Sequence, residues 1–212
     1  MPVWYPTEQW KDRDVFIIGG GASLKTFDWE LLQGEFTIGC NAAYTLGPEI
    51  CNICVFGDSK FYEAYKKDLE KFGGVVATSE QQLHKKSSHI DWLWTMRREP
   101  KGLHKDALGW NKNTGALAIN LALILGAKRV ILLGFDMHLS STGSMNWHDK
   151  GLDKPLDVIC SRINKEFQSV YIDWKAKFLD REIINVTNNS SLSGFPKIGV
   201  QEFWTERKKL NG

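Results

Sequence analysis

Short apolar runs alternate with amphipathic or polar stretches along most of the chain. Six runs have the length and composition of buried strands: residues 15–18, 36–40, 53–56, 75–77, 129–133 and 182–186. Four stretches between them favour helices: residues 27–32, 59–72, 114–126 and 155–179. Strands that alternate with helices predict an α/β fold, with a mostly parallel, doubly wound sheet covered on both faces.

Residues 79–112 interrupt this alternation. They are polar, basic and rich in tryptophan, with only a weak apolar piece at 90–94. We expect a lid-like excursion from the sheet, because loops of this length in compact domains are often functional. Exposed tryptophans there are equally consistent with a contact between subunits of an oligomer. The 212 residues otherwise fit one α/β domain, 1–212.

Composition narrows the class of protein. Hydrophobic residues make up 42% and charged residues 25%, with a net charge of +2, which excludes a disordered chain and does not indicate a dedicated nucleic-acid binder. The longest apolar stretch, 116–127, contains Asn120 and is too short to cross a bilayer, and no signal-peptide core follows Met1. We therefore expect a cytoplasmic protein with no membrane partner.

The cysteines favour packing over metal binding. Cys51 and Cys54 have the spacing of a zinc motif, but there is no second pair and the motif continues into an apolar strand. Buried, reduced thiols are the better interpretation.

A glycine-rich loop follows the first strand directly, as Gly19-Gly20-Gly21-Ala22-Ser23. Glycines let a ligand approach the backbone, whose N–H groups can hold phosphate. A nicotinamide cofactor is not expected, because Leu24 replaces the third glycine and the segment 40–42 carries no acidic residue for the ribose. A tight structural turn is the alternative.

Further polar residues stand where other predicted elements end or begin. They are Asn41 after the second strand, Asp58 after the third, Asn113-Thr114-Gly115 at the start of the helix 114–126, and Phe135-Asp136-Met137-His138 after the strand 129–133. Each can be a cap or turn residue, but all are expected at one rim, where ligands of such sheets bind. His148, in a polar loop, is a candidate base, or else a solvated surface histidine. His138 is a weaker candidate.

These motifs resemble the bacterial sialyltransferases of glycosyltransferase family 42. They also resemble the related "domain of unknown function 115" proteins, which include a hydroxymethylpterin pyrophosphokinase. The resemblance covers nearly the whole chain, through the segments 17–24, 40–41, 55–58, 113–115, 132–137 and 185–196. Small stand-alone domains of this kind are common in phages, so the host cytoplasm would be the location.

The resemblance implies a Rossmann-like fold and, from the sialyltransferases, a cytidine-nucleotide sugar donor. We expect a nucleotide-sugar donor of the CMP or UDP type, with Mg²⁺ as a cofactor only in a pyrophosphokinase. Donor contacts would pass to Gly21, Ser23, Asn41, Thr114 and Gly115, with Asp58 at another polar position and His148 as the catalytic base. The full predicted binding set is Gly19, Gly20, Gly21, Ala22, Ser23, Asn41, Asp58, Asn113, Thr114, Gly115, Phe135, Asp136, Met137 and His138. The chain departs from the family at Gly20 and Ala42, and His138 stands near one of the family's phosphate-binding tyrosines.

Three functions follow from this pattern. The first is metal-independent glycosyl transfer to a glycan or a modified nucleic acid, since the one Asp-x-Asp triplet, residues 12–14, precedes the first strand. The second is an Mg²⁺-dependent pyrophosphokinase of a pterin-like molecule, with Mg²⁺ held by Asp58 or Asp136. The third is a nucleotide-binding or scaffold protein without catalysis.

Overall fold

A computed structural model describes the backbone of residues 1–86, 90–150 and 156–211, and the side chains in these ranges except 84–86, 156–164 and 210–211. Its centre is a seven-stranded parallel sheet with the strand order β5-β4-β3-β2-β1-β8-β9. The strands are β1 (Asp14–Ile18), β2 (Phe36–Cys40), β3 (Ile53–Phe56), β4 (Val75–Thr78), β5 (Leu93–Thr95), β8 (Arg129–Leu133) and β9 (Glu182–Asn185). The chain leaves β1 for β2 on one side and returns to β8 on the other, so strand order reverses between β1 and β8.

Two apolar cores lie on opposite faces of the sheet. One contains α3 (Thr114–Ile124) and α4 (Leu156–Lys177), and the other contains α1 (Ser59–Glu70) and α5 (Val200–Asn211). Every residue from 116 to 124 is buried, because α3 is apolar on all sides and packs directly under β1, β2 and β3. The doubly wound α/β fold predicted from the alternating pattern is confirmed.

Most predicted elements match the structure within a few residues. The predicted helix at 27–32 is instead a single 3₁₀ turn at Trp29–Leu32, and another 3₁₀ turn, Ala22–Thr26, precedes it. The C-terminal helix α5 was not predicted, and Pro155, expected to open α4, lies outside the described residues.

The segment 79–112 is more closely tied to the sheet than the sequence suggested. It contributes β5 to the edge of the sheet, the short helix α2 (Gln81–Lys86), and a small parallel pair formed by β6 (Arg98–Glu99) and β7 (Leu108–Gly109). Leu93, Leu103 and Leu108 are completely buried. The expectation of a mere excursion is therefore wrong at β5, because apolar side chains at 93, 103 and 108 anchor the segment to the core. Its role as a lid stays a prediction.

The described cysteines agree with the prediction of buried thiols. Cys40, Cys51 and Cys54 are free and buried, and burial raises the pKa of Cys51 to about 12. Cys160 lies outside the described side chains. Among the helices of the described ranges, none is long and apolar enough to cross a membrane.

Candidate functional site

The glycine-rich loop packs against the loop that follows β8. The amide of Gly19 donates to Leu133 O at 2.8 Å, and the amide of Gly21 donates to Gly134 O at 2.8 Å. A Cβ atom at Gly19 would lie 2.6 Å from Gly134 O, closer than real Cβ atoms approach an oxygen. These glycines are therefore required for the two backbones to meet at the reversal of strand order.

Asp136 fastens the same two loops together. Its side chain is almost completely buried, at 4% exposure. One carboxylate oxygen accepts the Ser23 amide at 2.8 Å, and the other accepts the Ser23 hydroxyl at 2.6 Å. The structure thus brings together two of the predicted site residues, and the amide of Ser23 already has an acceptor within the protein.

The polar loop that carries His148 is attached to the glycine-rich loop. Asn146 pairs with Gly21 in an antiparallel bridge, and the amide of Trp147 donates to Gly20 O at 3.0 Å. The indole nitrogen of Trp147 donates to Gly19 O at 2.9 Å. A Cβ atom at Gly20 would lie 3.7 Å from Nε2 of His148, so the predicted base stands directly beside the glycine-rich loop.

The surroundings of His148 favour its neutral form. Its ring lies edge-on against Trp147 at a centroid distance of 4.9 Å, and its buried Nδ1 has no hydrogen-bond partner among the described residues. Burial lowers the pKa of His148 below its ordinary 6.5, and the nearby Asp149 only partly opposes this shift. A neutral imidazole at pH 7 can accept a proton.

The predicted residues at β2 and α3 also come together. Asn41 has a left-handed backbone (φ 51°) directly after β2, and Thr114 Oγ1 donates to Asn41 Oδ1 at 3.4 Å. Asn113 caps α3 by accepting the Ala116 amide at 3.1 Å. A Cβ atom at Gly115 would lie 2.7 Å from the Phe135 ring. The first turn of α3 therefore lies between the ends of β2 and β8.

Asp58 lies one strand further along the rim. Its side chain caps α1 by accepting the Lys60 amide at 2.9 Å. The preceding Gly57 lies against the half-buried ring of Trp110. A Cβ atom added to Gly57 would lie only 2.6 Å from Cη2 of that ring. The Arg98 guanidinium lies over the Trp110 ring, 4.5 Å from the ring centroid, in a cation–π contact. Neither Trp110 nor Trp147 was singled out as a site residue, because only the fold brings them to the rim.

His138 is bonded through both ring nitrogens. Nδ1 lies 2.8 Å from Leu139 O, and Nε2 lies 2.7 Å from Asn189 O. Only a protonated imidazole donates from both nitrogens at once. The hydrogen bond to Leu139, then that to Asn189 and the charge of Asp136, raise the pKa of His138 above 6.5, although burial opposes them. Met137, beside it, has a left-handed backbone (φ 58°) that is uncommon for such a side chain.

The carboxylates give no indication of a metal centre within the described ranges. No three His, Cys, Asp or Glu side chains among the described residues lie close enough to hold an ion. Asp14, from the Asp-x-Asp triplet, begins β1, at the strand end opposite to the rim, and pairs with Arg129 at 2.5 Å.

The strand order defines a doubly wound α/β fold. Folds of this class often bind nucleotides at the carboxyl ends of their strands, where the polar residues described above lie. Two solved structures of glycosyltransferases share this fold. The whole chain superposes on 38% of the MAf glycosyltransferase from Magnetospirillum magneticum AMB-1, with a TM-score of 0.64 and 12% identity. It also resembles the monofunctional alpha-2,3-sialyltransferase Cst-I from Campylobacter jejuni, with a TM-score of 0.52 and 16% identity over 88% of this chain and 80% of Cst-I.

These likenesses confirm the predicted resemblance at the level of the fold. The chain spans well under half the length of the MAf protein but most of the length of Cst-I. Neither a protein-family model nor a curated protein matches the amino-acid sequence. The roles of the individual rim residues stay predictions.

Proposed function

We propose that this protein is a glycosyltransferase-like enzyme that takes a sugar from a CMP- or UDP-type donor, with His148 as the base and without a metal ion. The observation that carries the proposal is the position of His148. Its partly buried imidazole, with a lowered pKa, is held beside the glycine-rich loop by the bonds of Trp147 to Gly19 and Gly20.

The reaction would be a displacement at the anomeric carbon of the donor. His148 accepts the proton of an acceptor hydroxyl, whose oxygen then bonds to the anomeric carbon. The bond from that carbon to the donor's phosphate oxygen breaks, and the nucleotide leaves with the electron pair. The amides of the first turn of α3, at Thr114 and Gly115, would stabilise the leaving phosphate, because a helix N-terminus favours negative charge.

Both solved structures named above are glycosyltransferases, one of them a sialyltransferase, which supports this class of reaction. The alternative Mg²⁺ site receives less support, because Asp136 is bonded to Ser23 and Asp58 caps α1. The acceptor class and the oligomeric state stay predictions from the sequence, as does the cytoplasmic or phage setting.

Thermal unfolding with CMP, CDP, UDP, GDP, ADP and ATP, each with and without Mg²⁺, tests the donor class. A ligand at a hundred times its dissociation constant adds about 2.7 kcal/mol of stability. For a domain of this size, the midpoint should rise by roughly 5–10 °C. A rise with a cytidine or uridine nucleotide without metal supports the proposal, whereas a rise only with ATP and Mg²⁺ supports the pyrophosphokinase.

His148→Asn tests the base. We expect nucleotide affinity within about twofold of the unmodified protein and turnover lower by about 10²–10⁴-fold, the usual contribution of a general base. His104→Asn is the matched control, because His104 contacts Lys101 O and lies beside Asn120 in the middle of α3, away from the rim. Near-normal turnover in His148→Asn would show that another group is the base.

A further inference from the structure

The glycine-rich loop stands where a doubly wound sheet usually holds the phosphate of its ligand. In such sheets the phosphate lies at the reversal of strand order, on amides that follow the first strand. Here the reversal lies between β1 and β8, and the loop follows β1 directly. Its Ser23 amide, however, donates to the Asp136 carboxylate, 113 residues further along the chain.

We propose that Asp136 is a positioning and specificity-determining residue: its carboxylate occupies the anion-binding amide of the glycine-rich loop and excludes a ligand phosphate from the reversal point. The donor phosphate is then directed to the first turn of α3, and this part of the proposal rests on the proposed function. Asp136 therefore acts by holding Ser23 and does not contact the ligand.

Space and charge both support this assignment. A Cβ atom on Gly21 would overlap the Asp136 carboxylate, so nothing the size of a phosphate fits between the two. A phosphate beside a buried carboxylate would also place like charges together, with little water to screen them. The two oxygens of Asp136 already accept from the amide and the hydroxyl of Ser23.

The backbone around Asp136 keeps the carboxylate in place. The amide of Ser191 donates to Asp136 O at 2.8 Å, which ties the turn to the loop after β9. Met137 is held in its left-handed conformation, and His138 bonds the same loop through Asn189 O. An uncommon backbone held by bonds on both sides indicates a fixed turn.

The first turn of α3 offers a different anchor for phosphate. The Ala116 amide is taken by Asn113, whereas the two residues before it, Thr114 and Gly115, lie beside Asn41 and Phe135 at the rim. Thr114 bonds Asn41, so this end of the helix lies at the end of β2, whereas the Asp136 carboxylate is bonded to Ser23, after β1. A nucleotide with one phosphate fits this arrangement better than one whose second phosphate must approach the reversal point.

Backbone-amide NMR on the full chain tests the proposal, first with inorganic pyrophosphate and then with CMP and CDP. In the unmodified protein the Ser23 amide signal should not move with any of the three, and CMP should move the signals of Thr114 and Gly115. Asp136→Asn keeps an acceptor for Ser23 but removes the charge. Pyrophosphate should then move the Ser23 signal, and the preference for CMP over CDP should fall by about tenfold. Asp173→Asn is the matched control. Asp173 lies on α4, and its carboxylate also accepts a hydrogen bond from a backbone amide, that of Leu103, at 2.7 Å.

A shift of the Ser23 signal in the unmodified protein would overturn the proposal, and this arm does not depend on the folding of any variant. Equal weakening of CMP and CDP in Asp136→Asn, without a pyrophosphate response, would also overturn it, because that pattern indicates direct contact with the ligand. If CMP, CDP and, in the thermal panel, UDP all fail to bind the unmodified protein, the proposed function fails, yet the titrations with pyrophosphate still decide the role of Asp136.

Discussion

Gly57→Ala gives a direct measure of how tightly the rim is packed at β3. An added Cβ would lie 2.6 Å from Cη2 of Trp110 and closer still to two other ring atoms. The indole has little room to move, because the Arg98 guanidinium lies over it at 4.5 Å from the ring centroid. The backbone of Trp110 is also fixed, since its carbonyl accepts a hydrogen bond from the Asn113 amide at 2.9 Å. Either the ring or the end of β3 must move.

Overpacking of this kind usually costs about 1–3 kcal/mol. For a chain of this length, each kcal/mol lowers the unfolding midpoint by about 2–4 °C. We therefore expect Gly57→Ala to unfold about 2–12 °C lower, and urea titration should give a matching loss in the free energy of unfolding. Gly199→Ala is the control, since its added Cβ would meet only Asn188 Oδ1, at an ordinary 3.4 Å. Its free energy should change by less than about 1 kcal/mol.

A second substitution identifies the cause. In a Trp110→Leu background the smaller side chain leaves room for the new methyl group, so Gly57→Ala should cost at least about 1 kcal/mol less than it does alone. If the two changes add within about 0.5 kcal/mol, the clash with Trp110 is not the source of the effect. A Gly57→Ala protein as stable as the Gly199→Ala control would refute the packing argument outright.

Three other outcomes are expected. Since burial lowers the pKa of His148, turnover should persist as the pH falls past 6.5 and decline only as the pH passes that lower pKa. The contribution of the neutral His148 to the free energy of unfolding is likewise present above pH 6.5 and is lost as the pH falls through the lowered pKa. A pH–rate profile that already falls at 6.5 contradicts this assignment. Asn120→Ala leaves two backbone amides of the segment 101–111 without their acceptor, which should cost about 1–3 kcal/mol for each in urea unfolding. Lys150→Met removes the exposed ion pair with Asp68, at 2.7 Å; the midpoint should hardly change, while chymotrypsin should cleave the loop that carries His148 faster. Unchanged cleavage would show that this ion pair does not hold the loop.

Local patterns in the sequence were sufficient to predict six of the seven strands of the main sheet. The apolar run of β8 and the all-round apolar α3 have to be buried wherever they lie, so their place in an α/β fold follows from composition and length. The edge strand β5 was missed because only three residues, Leu93–Thr95, form it within a polar segment. The helix α5 was missed because its mixed polar pattern shows only a weak apolar side.

The contacts that shape the candidate site are long-range, and no local pattern reports them. Ser23 and Asp136 were both predicted at the rim, but their mutual bond spans 113 residues. The attachment of Trp147 to Gly19 spans 128 residues. Sequence reasoning therefore expected these residues at one rim and assigned them all to the ligand, whereas the structure shows that several of them hold one another.

This distinction explains how one fold can serve different ligands at the same edge. The sheet brings the ends of β1, β2 and β8 together through backbone bonds that any suitable apolar sequence can make. What a ligand meets there depends on side chains that fill or leave open the loops. The Asp136 carboxylate fills the reversal point, His138 lies beside it with a raised pKa, and His148, with a lowered pKa, lies on the neighbouring loop. The proposed glycosyl transfer would place the donor's phosphate near α3 and its reacting carbon near His148, and a nucleotide sugar carries both of these groups.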